Sequence, residues 1–292
     1  MKLDTINRIV YYIPIRKLRD AVREYLIMLI DLDEEIWDLS TIIEFRKSFK
    51  KDNDFISRYK RLINGLDDKS IDIVYDIVFC ITNFNNINDK IFFHKDELEN
   101  LNTIRNNFYK KISKVNDECF IYKKYLLSRF SVGINVLYER HGIENVHDMN
   151  KIFSKNIIDA GAFLGDSAVF FSEYTNNKVY SFEAFKSNYN LLLKTIELND
   201  IKNVVPINMA LGNENKEFSI FYDGNHSGML SIETEKQSDL IEEKTMMITL
   251  DKFVEDNNIE VGLIKTDLEG FEQKFLEGAI NTIKKQKPIL MI

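Results

Sequence analysis

The residues best suited to chemistry lie in the second half of the chain. The run Asn156-Ile-Ile-Asp159-Ala160-Gly161-Ala162-Phe163-Leu164-Gly165-Asp166-Ser167 leads an apolar strand into a turn with two glycines. Asp166 or Ser167 is then expected to cap a helix over 168–174. Glycines let backbone approach a ligand closely at the end of a parallel strand. Their spacing here is G-x-x-x-G, with Asp159 before and Asp166 after. A dinucleotide turn reads G-x-G-x-x-G and presents amides to a pyrophosphate. Two carboxylates would repel a pyrophosphate and would suit an ammonium, such as that of a methionine moiety.

Three further strand ends add polar groups. The next apolar run, 178–182, ends in Glu183 and Ala184, and Glu183 stands 24 residues beyond Asp159. A carboxylate there can accept hydrogen bonds from both hydroxyls of a ribose. The third run ends in Asn208-Met209-Ala210, small or apolar side chains able to flank an adenine ring. The fourth gives Lys265-Thr266-Asp267-Leu268-Glu269-Gly270-Phe271-Glu272. Carboxylates at that position can act as a base, hold a substrate hydroxyl or bind a divalent cation. The helix dipole accounts for Glu269 and Glu272. It does not account for Lys265 and Asp267, since charge in an apolar strand is costly unless paired or used. His226, in the loop Gly224-Asn-His226-Ser-Gly228, is another candidate base.

The elements that must position these groups alternate between strand and helix. Apolar runs at 157–158, 179–182, 204–207, 261–264 and 289–292 are separated by amphipathic stretches of helix length. That alternation predicts an α/β fold with a mostly parallel sheet. Phe218, Ile220 and Tyr222, with the run 245–250, are expected to form an antiparallel pair inserted between the third and fourth parallel strands. Only three of eleven glycines precede residue 150, and there the periodicity is helical. Leu18, Ala21, Val22, Tyr25, Leu26 and Leu29 share one face, and Ile71, Val74, Tyr75, Val78 and Phe79 repeat the pattern. An all-α domain is therefore expected over 1–145 and the α/β domain over 146–292.

Taken together, Asp159–Asp166, Ser181-Phe182-Glu183, Thr249-Leu250-Asp251 and Ile264–Glu272 with Leu276-Glu277-Gly278-Ala279 resemble the FkbM-type methyltransferases. The resemblance implies a class I, Rossmann-like methyltransferase fold, S-adenosylmethionine as methyl donor and S-adenosylhomocysteine as product. It also implies a hydroxyl acceptor, often on a sugar or polyketide. Asp159, Gly161, Gly165 and Asp166 would hold the methionine end and Glu183 the ribose. Ala162, Phe163, Ser167, Ala184, Met209 and Ala210 are expected beside them as cofactor-binding residues. Asp267 and Glu269 would line the transfer site, and residues 130–149 look like a cap that precedes the core. Tyr11–Arg19 resembles a segment of bacterial surface-polysaccharide enzymes, which directs the acceptor expectation toward glycans.

Composition narrows the alternatives. A net charge of −7 argues against nucleic-acid partners. Two cysteines, Cys80 and Cys119, lie in helix-like segments without metal spacing, and four scattered histidines indicate no metal site. A divalent cation is compatible with the carboxylates, although no motif calls for one. No secretory signal or spanning segment is evident, so a cytoplasmic protein is expected. Residues 1–25 carry six basic and three acidic groups, which would allow peripheral contact with an anionic membrane. The apolar run 288–292 predicts a strand buried on both faces, hence a shortened chain or an edge covered by a further copy. The rival functions are a non-catalytic S-adenosylmethionine-binding protein and, disfavoured by the glycine spacing, an NAD-dependent oxidoreductase.

Overall fold

The computed structural model describes residues 51, 54–83, 103–104, 106–130, 133–222 and 241–292. Residues 1–25 and His226 lie outside them. Contacts divide the chain into two compact units, residues 1–101 and 102–292. The first contains helices α1 (Phe55–Ile63) and α2 (Asp68–Asn83). Asp67 starts α2, accepting the Ser70 amide at 2.9 Å and the Ser70 hydroxyl at 3.1 Å. Ile71, Val74 and Val78 are half-buried, but Tyr75 and Phe79 are exposed. The apolar stripe of α2 is thus narrower than its sequence period implies.

The second unit does not begin as expected. Residues 112–127, read as part of an all-α stretch, form an antiparallel sheet of β1 (Ile112–Asn116), β2 (Cys119–Tyr122) and β3 (Tyr125–Leu127). Phe120, Tyr122, Tyr125 and Leu127 are buried, and Tyr122 packs 4.9 Å from the Phe108 ring. Strands of three to five residues are too short for a period of two to stand out from a helical one. Cys119 is accordingly a free, half-buried thiol on a strand, not on a helix.

A short helix α3 (Ile134–Leu137), a 3-10 turn (Arg140–Asn145) and α4 (Asn150–Phe153) lead into the main sheet. Its strands are β4 (Asn156–Ala160), β5 (Val179–Phe182), β6 (Val204–Ile207), β10 (Val261–Thr266) and β11 (Ile289–Met291). All are parallel, in the order β11-β10-β4-β5-β6. Helices α5 (Asp166–Phe171), α6 (Lys186–Leu198), α7 (Leu250–Asp256) and α8 (Glu272–Gln286) alternate with them. Adjacent Ile157 and Ile158 enter different core clusters, one with Phe170 and Leu263, the other with Phe182 and Ile264. Apolar side chains on both faces explain why these strands read as continuous apolar runs.

The expected insertion is present. Strands β8 (Lys216–Tyr222) and β9 (Ile241–Ile248) pair antiparallel, and β7 (Ala210–Leu211) joins β9 in parallel. The last strand departs from expectation: Leu290 is 40% exposed, and Ile292 beyond it 70%. Occupying the edge of the sheet, β11 has only half-buried Ile289 and Met291 facing the core.

Candidate functional site

The order of the sheet decides where a site can form. Strand order reverses at β4: β5 and β6 are added on one side of it, β10 and β11 on the other, all in the same direction. A crevice opens beyond the carboxyl ends of strands at such a switch point. Here it holds a cavity of about 450 Å³.

Between β4 and β10 the register pairs Asp159 with Lys265. Lys265 Nζ lies 3.4 Å from Asp159 Oδ1, and both residues are almost wholly buried. The ammonium also donates to the carbonyls of Gly161 at 2.7 Å and Ala160 at 3.5 Å. Asp159 Oδ2 accepts the hydroxyls of Ser167 at 2.8 Å and Ser181 at 3.3 Å. The charge inside β10 is therefore compensated, as burial requires.

The glycine turn is held by its own amides. Gly161 and Ala162 both donate to the Phe182 carbonyl, Gly165 donates to Ala162, and Phe163 donates to Glu183 Oε2. Phe163 is left-handed, with φ +46°. Gly161 has φ +79°, and a Cβ there would overlap the Asp267 carbonyl. Gly165, φ +87°, rather than Asp166 or Ser167, occupies the cap position of α5, with no side-chain cap bond. Ser167 instead serves Asp159, and Asp166 Oδ1 accepts the Ser167 amide at 3.0 Å.

Glu183 is buried beyond β5, its two oxygens accepting the amides of Phe163 and Phe185, each at 2.9 Å. Burial pushes its carboxyl up to about 7 against the pull of those amides, Asn188 and Lys265. Asp166 is likewise raised to about 7, chiefly by burial and also by Asp159. At the rim, Glu269 is raised by burial and by the charges of Asp267 and Glu272. It adopts φ +52°, a costly backbone for a residue with a side chain. Glu272 turns away to cap its own loop, accepting the amides of Leu268 at 2.7 Å and Gly270 at 3.0 Å.

Most expected residues converge. Gly161, Phe163, Asp166, Ser167, Glu183, Ala184, Met209, Ala210, Asp267 and Glu269 line the cavity. Asp159, Ala162 and Gly165 do not; they lie behind its wall, and Asp159 reaches it through Lys265 and Ser167. His226 lies outside the described residues. Sequence reasoning overlooked Lys265 and His141 as lining residues. Lys265 had been singled out only as a costly charge in a strand. His141 belonged to the expected cap but carried no motif of its own.

Residues 159–292 match the family profile described as the methyltransferase FkbM domain. Among curated proteins, no sequence matches the chain. A crystal structure of methyltransferase FkbM from Methylobacillus flagellatus KT aligns with a TM-score of 0.45 at 16% identity. The alignment covers 80% of this chain and 47% of that one, so this chain spans under half of that structure. A tRNA m1G37 methyltransferase from M. jannaschii aligns with a TM-score of 0.25 at 21% identity, covering 36% and 37% of the two chains.

Proposed function

We propose that the protein is an S-adenosylmethionine-dependent O-methyltransferase acting on a hydroxyl of a sugar or glycan precursor. One observation carries the donor assignment. The glycine-turn amides that a dinucleotide pyrophosphate would need are spent inside the protein, and the wall around them is acidic. A cationic ligand fits that wall; an NAD pyrophosphate does not. The FkbM domain match points the same way.

In this reading Glu183 receives a ribose hydroxyl, since the bonds from the Phe163 and Phe185 amides and from Asn188 leave its carboxylate one accepting position. Met209, Ala210 and Leu268 flank the adenine. Asp166 faces the donor's ammonium, and Asp159 holds Lys265 and Ser167 in place. The donor supplies an electrophilic methyl on a sulfonium. Asp267 and Glu269 sit on the acceptor side, where Asp267 orients the hydroxyl and Glu269 takes its proton as the oxygen–methyl bond forms. A carboxylate raised by burial and like charge is a better proton acceptor than an ordinary glutamate. Positioning of the two reactants supplies most of the acceleration.

Calorimetry with S-adenosylmethionine and S-adenosylhomocysteine tests the donor, and no heat with either removes the proposal. Mass spectrometry of surface glycans from cells with and without the gene tests the acceptor, with loss of a 14-Da increment expected from the chemistry of methylation. An unchanged methylation pattern removes the glycan assignment.

A further inference from the structure

Resting on the donor reading above, the roles assigned so far among the described residues leave one group without a partner: the carboxylate of the donor's methionyl end. The turn amides of Gly161, Ala162, Phe163 and Gly165 are committed to protein acceptors. Among lining side chains, Ser167 gives its hydroxyl to Asp159, and Asn188 serves Glu183. Lys265 donates to the carbonyls of Ala160 and Gly161 and sets its charge 3.4 Å from Asp159 Oδ1, behind the wall. Asn135 lies exposed at the rim. His141 is left.

Its placement is unusual in three respects. Arg140 and His141 both have φ +50° and Gly142 has φ +74°, so two side-chain-bearing residues in succession adopt a conformation that suits glycine. The imidazole lies against the Phe170 and Phe171 rings at 6.1 and 6.4 Å, nearly parallel to the second. Yet Nε2 is buried without a hydrogen-bond partner among the described residues. A histidine retained only for packing would have its nitrogens satisfied by the scaffold or replaced by carbon. Backbone strain at a cavity wall, around a polar ring the scaffold leaves unbonded, is the signature of a group kept for a ligand.

We propose that His141 is the donor-binding residue for the methionyl carboxylate, its imidazole N–H donating to a carboxylate oxygen. Burial and the Lys265 ammonium lower its pKa, while Asp159 and Asp267 raise it, so a neutral ring with one N–H is the form on offer near neutral pH. The Arg140 guanidinium, which donates to Tyr174 at 2.9 Å and pairs with Glu144, anchors the turn that presents the ring.

Two probes separate this proposal from the donor reading itself. S-Adenosylhomocysteine carries the amino-acid end; 5′-methylthioadenosine has the same nucleoside and thioether without it. His141→Phe keeps a ring against Phe170 and Phe171 but has no donor, whereas His141→Gln restores an N–H. His141→Phe should weaken S-adenosylhomocysteine about 10- to 100-fold, the scale of a hydrogen bond to a charged group. His141→Gln should recover much of that loss, and 5′-methylthioadenosine should bind all three proteins alike. Equal weakening of both probes, or unchanged S-adenosylhomocysteine affinity in His141→Phe, overturns the proposal while leaving the donor reading intact. If the wild-type protein binds neither probe, both fall together.

Discussion

The Phe163 amide donates to Glu183 Oε2 at 2.9 Å, so the carboxylate at the end of β5 also holds the turn that follows β4. One side chain thereby shapes the glycine turn and faces the cavity. Removing it should be felt twice. Glu183→Ala is expected to weaken S-adenosylhomocysteine by about 1–3 kcal/mol and to lower stability, because the Phe163 and Phe185 amides lose their acceptor. Glu183→Gln, which keeps an acceptor oxygen, should hold stability better than affinity. Calorimetry and urea denaturation of both variants check this; equal affinity in Glu183→Ala would remove the ribose assignment.

The buried ion pair gives a second expectation. Lys265→Met leaves Asp159 buried without its counter-charge and should cost about 3–5 kcal/mol. Adding Asp159→Asn removes the stranded charge and should recover most of that loss. A double-mutant cycle by chemical denaturation measures it. Additive losses would mean the two groups are not coupled.

A third concerns pH. Glu183 and Asp166 are raised to about 7 from ordinary values of 4.5 and 3.8. Between those limits the folded protein holds protons that the unfolded chain has already released. Ligand-free stability should therefore fall as pH rises from about 4 to 7 and level off above it. A cationic donor favours the ionised carboxylates, so its binding near pH 6.5 should release protons. Calorimetry in buffers of different ionisation enthalpy reads that release. Proton uptake instead would contradict the charges assigned to the wall.

Two glycines offer a matched comparison. Gly161 and Gly270 both have positive φ, +79° and +97°. A Cβ at Gly161 would overlap the Asp267 carbonyl, while at Gly270 nothing lies within 4 Å. Gly270→Ala should cost about 1 kcal/mol from backbone strain alone, and Gly161→Ala clearly more. Thermal melts of the two variants, with donor affinity as a second readout, distinguish them.

How much could be read beforehand follows from what each residue's neighbours look like in sequence. The parallel strands were legible because residues such as Ile157 and Ile158 are apolar on both faces. The ends of those strands were legible too, because Asp159, Glu183 and Asp267 interrupt apolar runs. The sheet over 112–127 was not: its strands are three to five residues long, too short for the alternation of Phe120 and Tyr122 to stand out. That Asp159 lies behind the wall depends on the register with β10, which no local pattern reveals. His141 was hidden for a related reason. A lone histidine acquires meaning only when Phe170, Phe171 and Lys265 gather around it.

The position of β10 also bears on how the molecule reaches its fold. Lys265 is bonded to the carbonyl of Ala160, 105 residues away, and lies directly beside β4 in the sheet. Strands β4, β5 and β6 are neighbours in both sequence and space, so they can assemble while the rest of the chain is still being made. In that interval Asp159 has no ammonium beside it and remains hydrated. Closure of so long a loop is slow relative to local pairing. Because β10 brings Lys265 to Asp159 and leads into Asp267 and Glu269, the wall of the crevice is complete only once this late segment has joined β4.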